Sequence, residues 1–473
     1  MLDRKGFLIM SRKQQNLSLF VLTWPIFIEL LLHMLMGNAD TLMLSQYDDR
    51  AVAAVGVSNQ IMGIVIVMFG LIAQGTTIIT AQHLGASDPG RAGKTAVTAV
   101  YMNIAAGIAL SLVLIFGGRT ILGWMGIPAE LMDTALNYLQ IVGGFAFVQA
   151  CIMTVGAVLK SHQFTKDVMY ITLGMNVLNV IGNYILIFGA FGAPSMGAAG
   201  VAVSTAAARG IGLIVLFWLL VRKVKTPLPW LYPLTRLPAA EFQALMRIGI
   251  PTAGEQVSYQ ASQLVLTYFT AGLGTAALTT RVYTLNIIMF SLLFSLAIAQ
   301  GTQILVGRLA GERRYDAAYR RCLRSLRAAM GISTFAAAMF YLFGDAILSI
   351  FTSNEDIIRS GTMLLLLTIL LEPGRAFNLV IINSLRAAGD VRYPVYIGIL
   401  SMWGIAVTVS WTAGIWLGLG LAGIWIGMVL DEWIRGLLML RRWRSRKWEH
   451  MGFVEPATGE ESAEDAAPSD RHA

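Results

Sequence analysis

The chain has 473 residues, of which 56% are hydrophobic and only 13% are charged. Soluble globular domains usually carry about 25% charged residues, so this composition excludes a water-soluble globule and indicates a polytopic membrane protein. The formal net charge of +8 does not indicate a nucleic-acid partner, because the basic residues concentrate in alternate loops. The two cysteines and five scattered histidines form no disulfide framework and no metal-ligand spacing. We therefore expect neither an enzyme nor a protein with a bound cofactor.

Long apolar stretches predict twelve membrane-spanning helices, and an even number places both termini on one side of the membrane. The predicted spans lie near residues 19–45, 57–82, 95–117, 132–159, 168–190, 197–221, 245–271, 279–307, 322–344, 360–385, 393–416 and 420–440.

The lysines and arginines test this count of spans. Of the 35 basic residues, 28 fall on the side that holds the two termini and alternate loops, and the other side holds only Arg50, Arg119 and Arg359. Cytoplasmic loops of membrane proteins carry an excess of lysine and arginine. The sequence therefore predicts a multi-pass protein of the plasma (inner) membrane with both termini in the cytoplasm.

The first predicted span contains two carboxylates, Glu29 and Asp40. A charged carboxylate near the centre of a bilayer costs at least ~2.5 kcal/mol, so acids inside spans usually face the protein interior or a water-filled cavity. We expect both side chains to point away from lipid.

The chain also contains an internal repeat with an offset of 226 residues. Pro25 and Glu29 correspond to Pro251 and Glu255, and the segment Ala73-Gln74-Gly75-Thr76 corresponds to Ala299-Gln300-Gly301-Thr302. The same offset relates Lys160 to Arg386 and Gly85 to Gly311. Because each copy contains six spans, the two copies have the same topology and are related by an axis along the membrane normal.

The repeat divides the chain into two lobes with a connection and a tail. The predicted units are an N-terminal six-helix lobe at 1–221, a cytoplasmic linker at 222–247, a C-terminal six-helix lobe at 248–445 and a disordered cytoplasmic tail at 446–473. Several prolines mark the linker, and the tail is acidic and rich in alanine. The predicted fold is all-α, with two parallel six-helix repeats.

Over residues 15–445 the chain resembles the multidrug and toxic compound extrusion (MATE) family. The resemblance rests on the twelve spans, the repeat, the first-helix segment PIFIELLLHMLMGNADTLMLS and the AQGT segment. It implies a monomeric antiporter with a central cleft that alternates between inward-open and outward-open states. Such a protein exports bulky, often cationic or amphipathic compounds in exchange for Na⁺ or H⁺, and its partners are small molecules and the lipid bilayer.

The resemblance implies a cation-coupling site in the N-terminal lobe. Asp40 matches the first-helix aspartate of the family, and Asn179, Asn183 and Thr205 resemble the residues around its cation site. A carboxylate with amide and hydroxyl oxygens suits Na⁺, and Asp40, Asn179 and Asn183 are the candidate metal ligands. Hydrogen bonding between helices is the alternative role for these polar residues. Some relatives have a second aspartate where this chain has Asn183, which favours Na⁺ over H⁺.

Four further charged residues are candidates for the substrate cleft. Glu29 and Glu255 occupy equivalent places in the repeats, and they either attract cationic cargo or hydrogen-bond to backbone freed near the prolines. Glu372 and Arg375 flank Pro373 at a spacing of three, so they either form a self-neutralised pair or serve transport. For Asp431 and Arg435 at a spacing of four, and for Arg209, we expect structural pairing.

A flippase for lipid-linked precursors is the alternative function, because the same superfamily builds such proteins on the same duplicated architecture. The predicted acids of the cleft, Glu29 and Glu255, favour cationic cargo over a pyrophosphate.

Overall fold

A computed structural model describes residues 19–229 and 238–454, and within these ranges the regular secondary structure is entirely helical. The helices, numbered in chain order, are α1 (Leu19–Ser45), α2 (Asp49–Gly85), α3 (Pro89–Trp124), α4 (Ala129–Gly144), α5 (Ala146–Ser161), α6 (Thr165–Phe188), α7 (Ala198–Lys223), α8 (Ala239–Gly272), α9 (Thr275–Gly311), α10 (Tyr315–Leu342), α11 (Gly344–Ser349), α12 (Glu355–Ala387), α13 (Arg392–Trp416) and α14 (Gly420–Arg444). Short 3₁₀ turns lie at Ala190–Gly192 and Lys447–His450. Each of the twelve predicted spans coincides with one of these helices or with a consecutive pair.

Within the described ranges, nine helices are long and apolar enough to cross a membrane, and α4 with α5 forms a tenth candidate span. The more polar helices α8 and α14 complete the twelve. In α14 the charges of Asp431, Glu432 and Arg435 lower the hydropathy of the span. The predicted all-α fold of two six-helix repeats around a central cleft is confirmed.

The predicted span at 132–159 is not one continuous helix. The chain bends by 42° between α4 and α5, where Phe145 leaves the helical conformation. Two glycines precede the bend, and a Cβ added to Gly143 would lie 2.7 Å from the side chain of Leu114 on α3. The absent side chains let α3 approach closely at this point, which apolar patterning alone does not predict.

Helices α1 to α7 pack as an N-lobe and helices α8 to α14 as a C-lobe, each around its own apolar clusters. In the C-lobe, α14 contacts α13 through Gly423 and Gly427, a GxxxG spacing that allows close helix packing in membranes. A Cβ on Gly423 would lie 2.4 Å from the backbone of Ala413. Part of α13 is π-helical, from Met402 to Val407 and from Ser410 to Trp416. This packing places the charged residues of α14 beside α12 and α13.

The lobes meet near the face that carries most of the lysines and arginines, which we call the basic face. Gln74 and Gln82, in the last third of α2, make hydrogen bonds between the lobes. Gln82 donates to the carbonyl of Ala387 at 2.6 Å and accepts a bond from the backbone of Phe453 at 2.8 Å. These bonds hold the two lobes together on the basic face.

Helices α2 and α9 cross at two glycines in a reciprocal contact on the basic face. A Cβ on Gly85 would lie 2.0 Å from the carbonyl oxygen of Arg308, and a Cβ on Gly311 would lie 2.0 Å from that of Gln82. Both pairs obey the 226-residue offset. Only glycine permits this separation of the two backbones.

The chain after α14 is packed as far as the structure describes it. Trp448 is buried and stacks on Trp443 with a centroid separation of 4.1 Å, and Arg446 pairs with Asp316 at 2.6 Å. Residues 446–454 therefore differ from the disordered tail predicted there. Residues 455–473 of that tail and 230–237 of the predicted linker lie outside the described residues, as do residues 1–18.

Candidate cation site and charged clusters

The four residues predicted to couple a cation lie together inside the N-lobe. Nδ2 of Asn183 donates to Oδ1 of Asp40 at 2.6 Å, and Nδ2 of Asn179 donates to Oγ1 of Thr205 at 3.1 Å. Asn183 also lies 3.4 Å from Oδ1 of Asn179, which links the two pairs. All four side chains are buried, Asp40 with an exposed fraction of 6%. We call these four residues the Asp40 cluster.

Three helices build the Asp40 cluster. Asn179 and Asn183 are one helical turn apart on α6, so they present one face to α1 and α7. Gly182 lies between them, and a Cβ there would approach Oγ of Ser204 to 2.4 Å. Ser204 donates to the backbone carbonyl of Asn179 at 2.8 Å. The small residue thus brings α7, with Thr205, against the two asparagines.

The cluster contains an oxygen that is suitable for a cation. Oδ1 of Asn183 is buried and has no hydrogen-bond partner, although it belongs to the residue that holds Asp40. Leaving a buried carbonyl unpaired costs about 1–3 kcal/mol, which a bound cation would offset. With the carboxylate of Asp40 and the carbonyl of Asn179, the donor set is the hard-oxygen chemistry that Na⁺ uses. The residues present therefore fit a Na⁺ ion.

Arg209 supplies positive charge to the same region. It lies one turn after Thr205 on α7, near enough to Asp40 for the charge of its guanidinium to act on the carboxylate. We expected Arg209 to form a structural pair, but the structure shows no ion pair between Arg209 and any described carboxylate at 4 Å or less. Because Arg209 acts on Asp40 from a distance and makes no direct ion pair with it, the carboxylate can still accept another cation.

Glu29 and Glu255, the predicted attractors of cargo, each carry a basic partner. Oε1 of Glu29 on α1 lies 3.0 Å from Nζ of Lys160 at the end of α5. In the second repeat, Glu255 on α8 pairs with Arg386 at the end of α12. Both pairs join residues 131 positions apart, so the duplication preserved the whole ion pair. A paired carboxylate attracts cationic cargo less than a free one.

The C-lobe contains a larger charged network. Arg375 lies 2.6 Å from Glu372 and 3.7 Å from Glu432, and Arg435 lies 2.9 Å from Asp431 and 3.2 Å from Glu432. Both predicted short-range pairs are present. Glu432 joins them into one network of three carboxylates and two guanidiniums, with one negative charge in excess. One oxygen of Glu372 is buried without a partner.

The repeat relates the Asp40 cluster to the C-lobe network. Arg209 and Arg435 are separated by 226 positions, and so are Thr205 and Asp431. An arginine therefore occupies the same place in both lobes, facing Asp40 in one and Asp431 with Glu432 in the other. The two lobes share a polar framework with different acids.

Comparison with known proteins assigns the chain. The MatE family model matches residues 25–185 and again residues 251–412, with starts that differ by the repeat offset. The chain belongs to the MATE family. The MATE chain is 51% identical to the uncharacterized transporter YisQ of Bacillus subtilis over 93% of its own length and 96% of that protein. It is 26% identical to the probable multidrug resistance protein NorM of Thermotoga maritima, with 91% and 93% of the two chains covered.

Solved structures show the same fold. This MATE protein matches the outward-facing conformation of a multidrug resistance MATE family transporter of the MOP superfamily with a TM-score of 0.82 and 19% identity, covering 90% of this chain and 95% of that one. A MOP superfamily transporter from Pyrococcus furiosus matches with a TM-score of 0.81 and 20% identity over the same shares.

Proposed function

We propose that the protein is a secondary active antiporter that exports bulky, cationic or amphipathic xenobiotics in exchange for Na⁺ or H⁺, with Na⁺ the favoured ion. The observation that carries the proposal is the Asp40 cluster, a buried carboxylate held by an amide whose own oxygen has no partner. Membership in a family with multidrug resistance proteins supports the direction of transport and the type of cargo.

The cluster would bind the coupling ion directly. Asp40 contributes the negative charge, and Asn183 and Asn179 contribute carbonyl oxygens within the same turn of α6. An amide does not take up a proton at neutral pH, but its oxygen ligates Na⁺. Asp40 is the acid in the described cluster, so proton exchange would depend on that one group.

Arg209 would make binding reversible. In the absence of a bound ion its charge balances Asp40, and a bound cation competes with that balance. A site that binds too tightly releases its ion slowly, so a nearby positive charge favours turnover. When the ion binds or leaves, α1 would move together with Asp40 and change the shape of the cleft.

Alternating access would occur at the contact between the lobes. Gln74, Gln82 and the glycine crossing of α2 and α9 join the lobes on the basic face, and these short-range contacts would separate together. Packed interfaces of this kind switch between discrete arrangements instead of deforming continuously. Opening the basic face while the opposite half closes would carry cargo across.

The test is efflux of a fluorescent cationic dye from proteoliposomes under an imposed Na⁺ or H⁺ gradient. We expect dye movement against its own gradient when a Na⁺ gradient is supplied, and none when both ion gradients are absent. A neutral dye and a lipid-linked pyrophosphate serve as alternative cargoes. Movement of the pyrophosphate without movement of the dye would contradict drug export and support the flippase alternative.

A further inference from the structure

A pocket on the basic face lies between the two lobes, away from the Asp40 cluster and the C-lobe network. Its volume is about 520 Å³, and it is lined by Lys94 and Arg91 of α3, by Arg247 and Glu241 of α8, and by Phe453 beyond α14. We call it the interlobe pocket. Pockets of about 300–1,000 Å³ accommodate small ligands, so the volume suits a headgroup with a phosphate.

The lining is positively charged. Lys94 is half-buried, and among the described residues it makes no hydrogen bond or ion pair. The guanidinium of Arg247 lies 5.7 Å from the ring centroid of Phe453, and Arg247 has no carboxylate partner among the described residues. Arg91 lies 3.7 Å from Asp88. Among the described residues that line the pocket, Glu241 is the one carboxylate, and it faces the two cations Lys94 and Arg247.

The pocket lies at the basic-face ends of two helices, the level at which lipid phosphates would be expected. Helices α3 and α8 both begin on the basic face, at Pro89 and Ala239, and the pocket lies beside their first three turns. Basic pockets between membrane helices on this side of a bilayer bind anionic headgroups. The lining residue His83 is 5% exposed, and its buried Nδ1 atom has no hydrogen-bond partner among the described residues.

We propose that the interlobe pocket binds an anionic phosphate group and that the bound phosphate holds the two lobes together on the basic face. Lys94 belongs to the N-lobe and Arg247 to the C-lobe, so an anion between them bridges the contact that Gln82 also makes. Opening of the basic face separates Lys94 from Arg247 and weakens binding. The phosphate belongs either to an anionic lipid or to a free anion, and the proposal does not depend on the coupling ion.

The test measures lipid binding by native mass spectrometry of the purified full chain in neutral detergent. Phosphatidylglycerol is compared with phosphatidylcholine for the wild type, Lys94→Gln and Arg247→Gln. Each variant should weaken phosphatidylglycerol binding about fivefold, since a basic residue at the membrane surface contributes about 1 kcal/mol. Glu241→Gln removes the acid and should strengthen binding. Lys166→Gln is the matched control, an exposed lysine near the start of α6.

Inorganic phosphate distinguishes the two sources. If free phosphate at millimolar concentration displaces phosphatidylglycerol from the wild type, the pocket recognises the phosphate itself; if it does not, the lipid is the ligand. Both outcomes require that Lys94→Gln and Arg247→Gln weaken binding more than Lys166→Gln. Equal losses for all three variants, or no preference for phosphatidylglycerol over phosphatidylcholine, would overturn the proposal.

Discussion

Asn183 on α6 donates a hydrogen bond of 2.6 Å to Asp40 on α1, across 143 positions of the chain. The bond fixes one carboxylate oxygen while the second polar atom of the same amide, Oδ1, has no partner. Asn183 therefore both positions Asp40 and offers a ligand of its own. Substitutions at the two residues should affect transport in different ways.

Asp40→Asn should abolish efflux driven by an ion gradient, because the coupling site loses its negative charge. Expression and membrane insertion should be unchanged, since the amide keeps the shape of the side chain. Dye efflux from proteoliposomes is the measurement. Asp133→Asn on α4 is a matched control in the same lobe, where the carboxylate is exposed and efflux should stay at the wild-type level. If Asp40→Asn shows wild-type efflux, the Asp40 cluster is not the coupling site.

Asn183→Ala should raise the Na⁺ concentration for half-maximal efflux about tenfold, the loss expected for one hydrogen bond or ligand to a charged group. The control is Asn176→Ala, on the same helix, where the amide bonds to the backbone of Thr172. Efflux measured over a range of Na⁺ concentrations at constant pH gives the half-maximal concentration for each variant. If a pH gradient in Na⁺-free buffer drives efflux equally well and Asn183→Ala has no effect, the proton is the coupling ion.

The fold and the Asp40 cluster could be predicted from the sequence, whereas the partners of the other acids could not. Apolar stretches and the repeat define spans, and the spacing of Asn179 and Asn183 defines a helical face. The 226-residue offset relates Lys160 to Arg386, but their contacts with Glu29 and Glu255 depend on packing between helices that are distant in the sequence. Glu432 follows Asp431 in the sequence, but its ion pair with Arg375 requires α12 and α14 to be neighbours, which the sequence does not show.

The paired state of Glu29 changes what its substitution should do. Glu29→Gln leaves the ammonium of Lys160, which is only partly exposed, without its counter-charge, so it should destabilise the protein by roughly 3 kcal/mol. The double variant Glu29→Gln with Lys160→Gln removes both charges and should recover much of that loss. Thermal unfolding in detergent measures stability, and dye efflux measures transport.

Cargo specificity separates the two roles of Glu29. If Glu29 is structural, the double variant should transport cationic and neutral dyes in the wild-type ratio. If Glu29 attracts cargo, transport of the cationic dye alone should stay low in the double variant even after stability has recovered. Glu255 and Arg386 form the equivalent pair and provide an independent repeat of the experiment.

Gly85→Ala and Gly311→Ala should each open the basic face, because the added methyl group would lie 2.0 Å from a carbonyl oxygen of the other lobe. A cysteine introduced at Thr23, which is buried beside Gly301, reports opening through its rate of maleimide labelling. The rate should rise at least severalfold in both variants. Gly117→Ala on α3 has nothing within 4 Å of the new methyl group and should not change it. Unchanged labelling in all three would show that the crossing does not control access.

The reciprocal crossing of Gly85 and Gly311 has the symmetry of a twofold homodimer, in which residue i of one subunit meets residue j of the other and j meets i. Because six helices return the chain to its starting side, two separate copies of such a unit would enter the membrane in the same orientation. A single glycine codon in the gene of a half-length ancestor would then have supplied both sides of the contact. After fusion of the two copies, each glycine would mutate independently, although the crossing needs both of them.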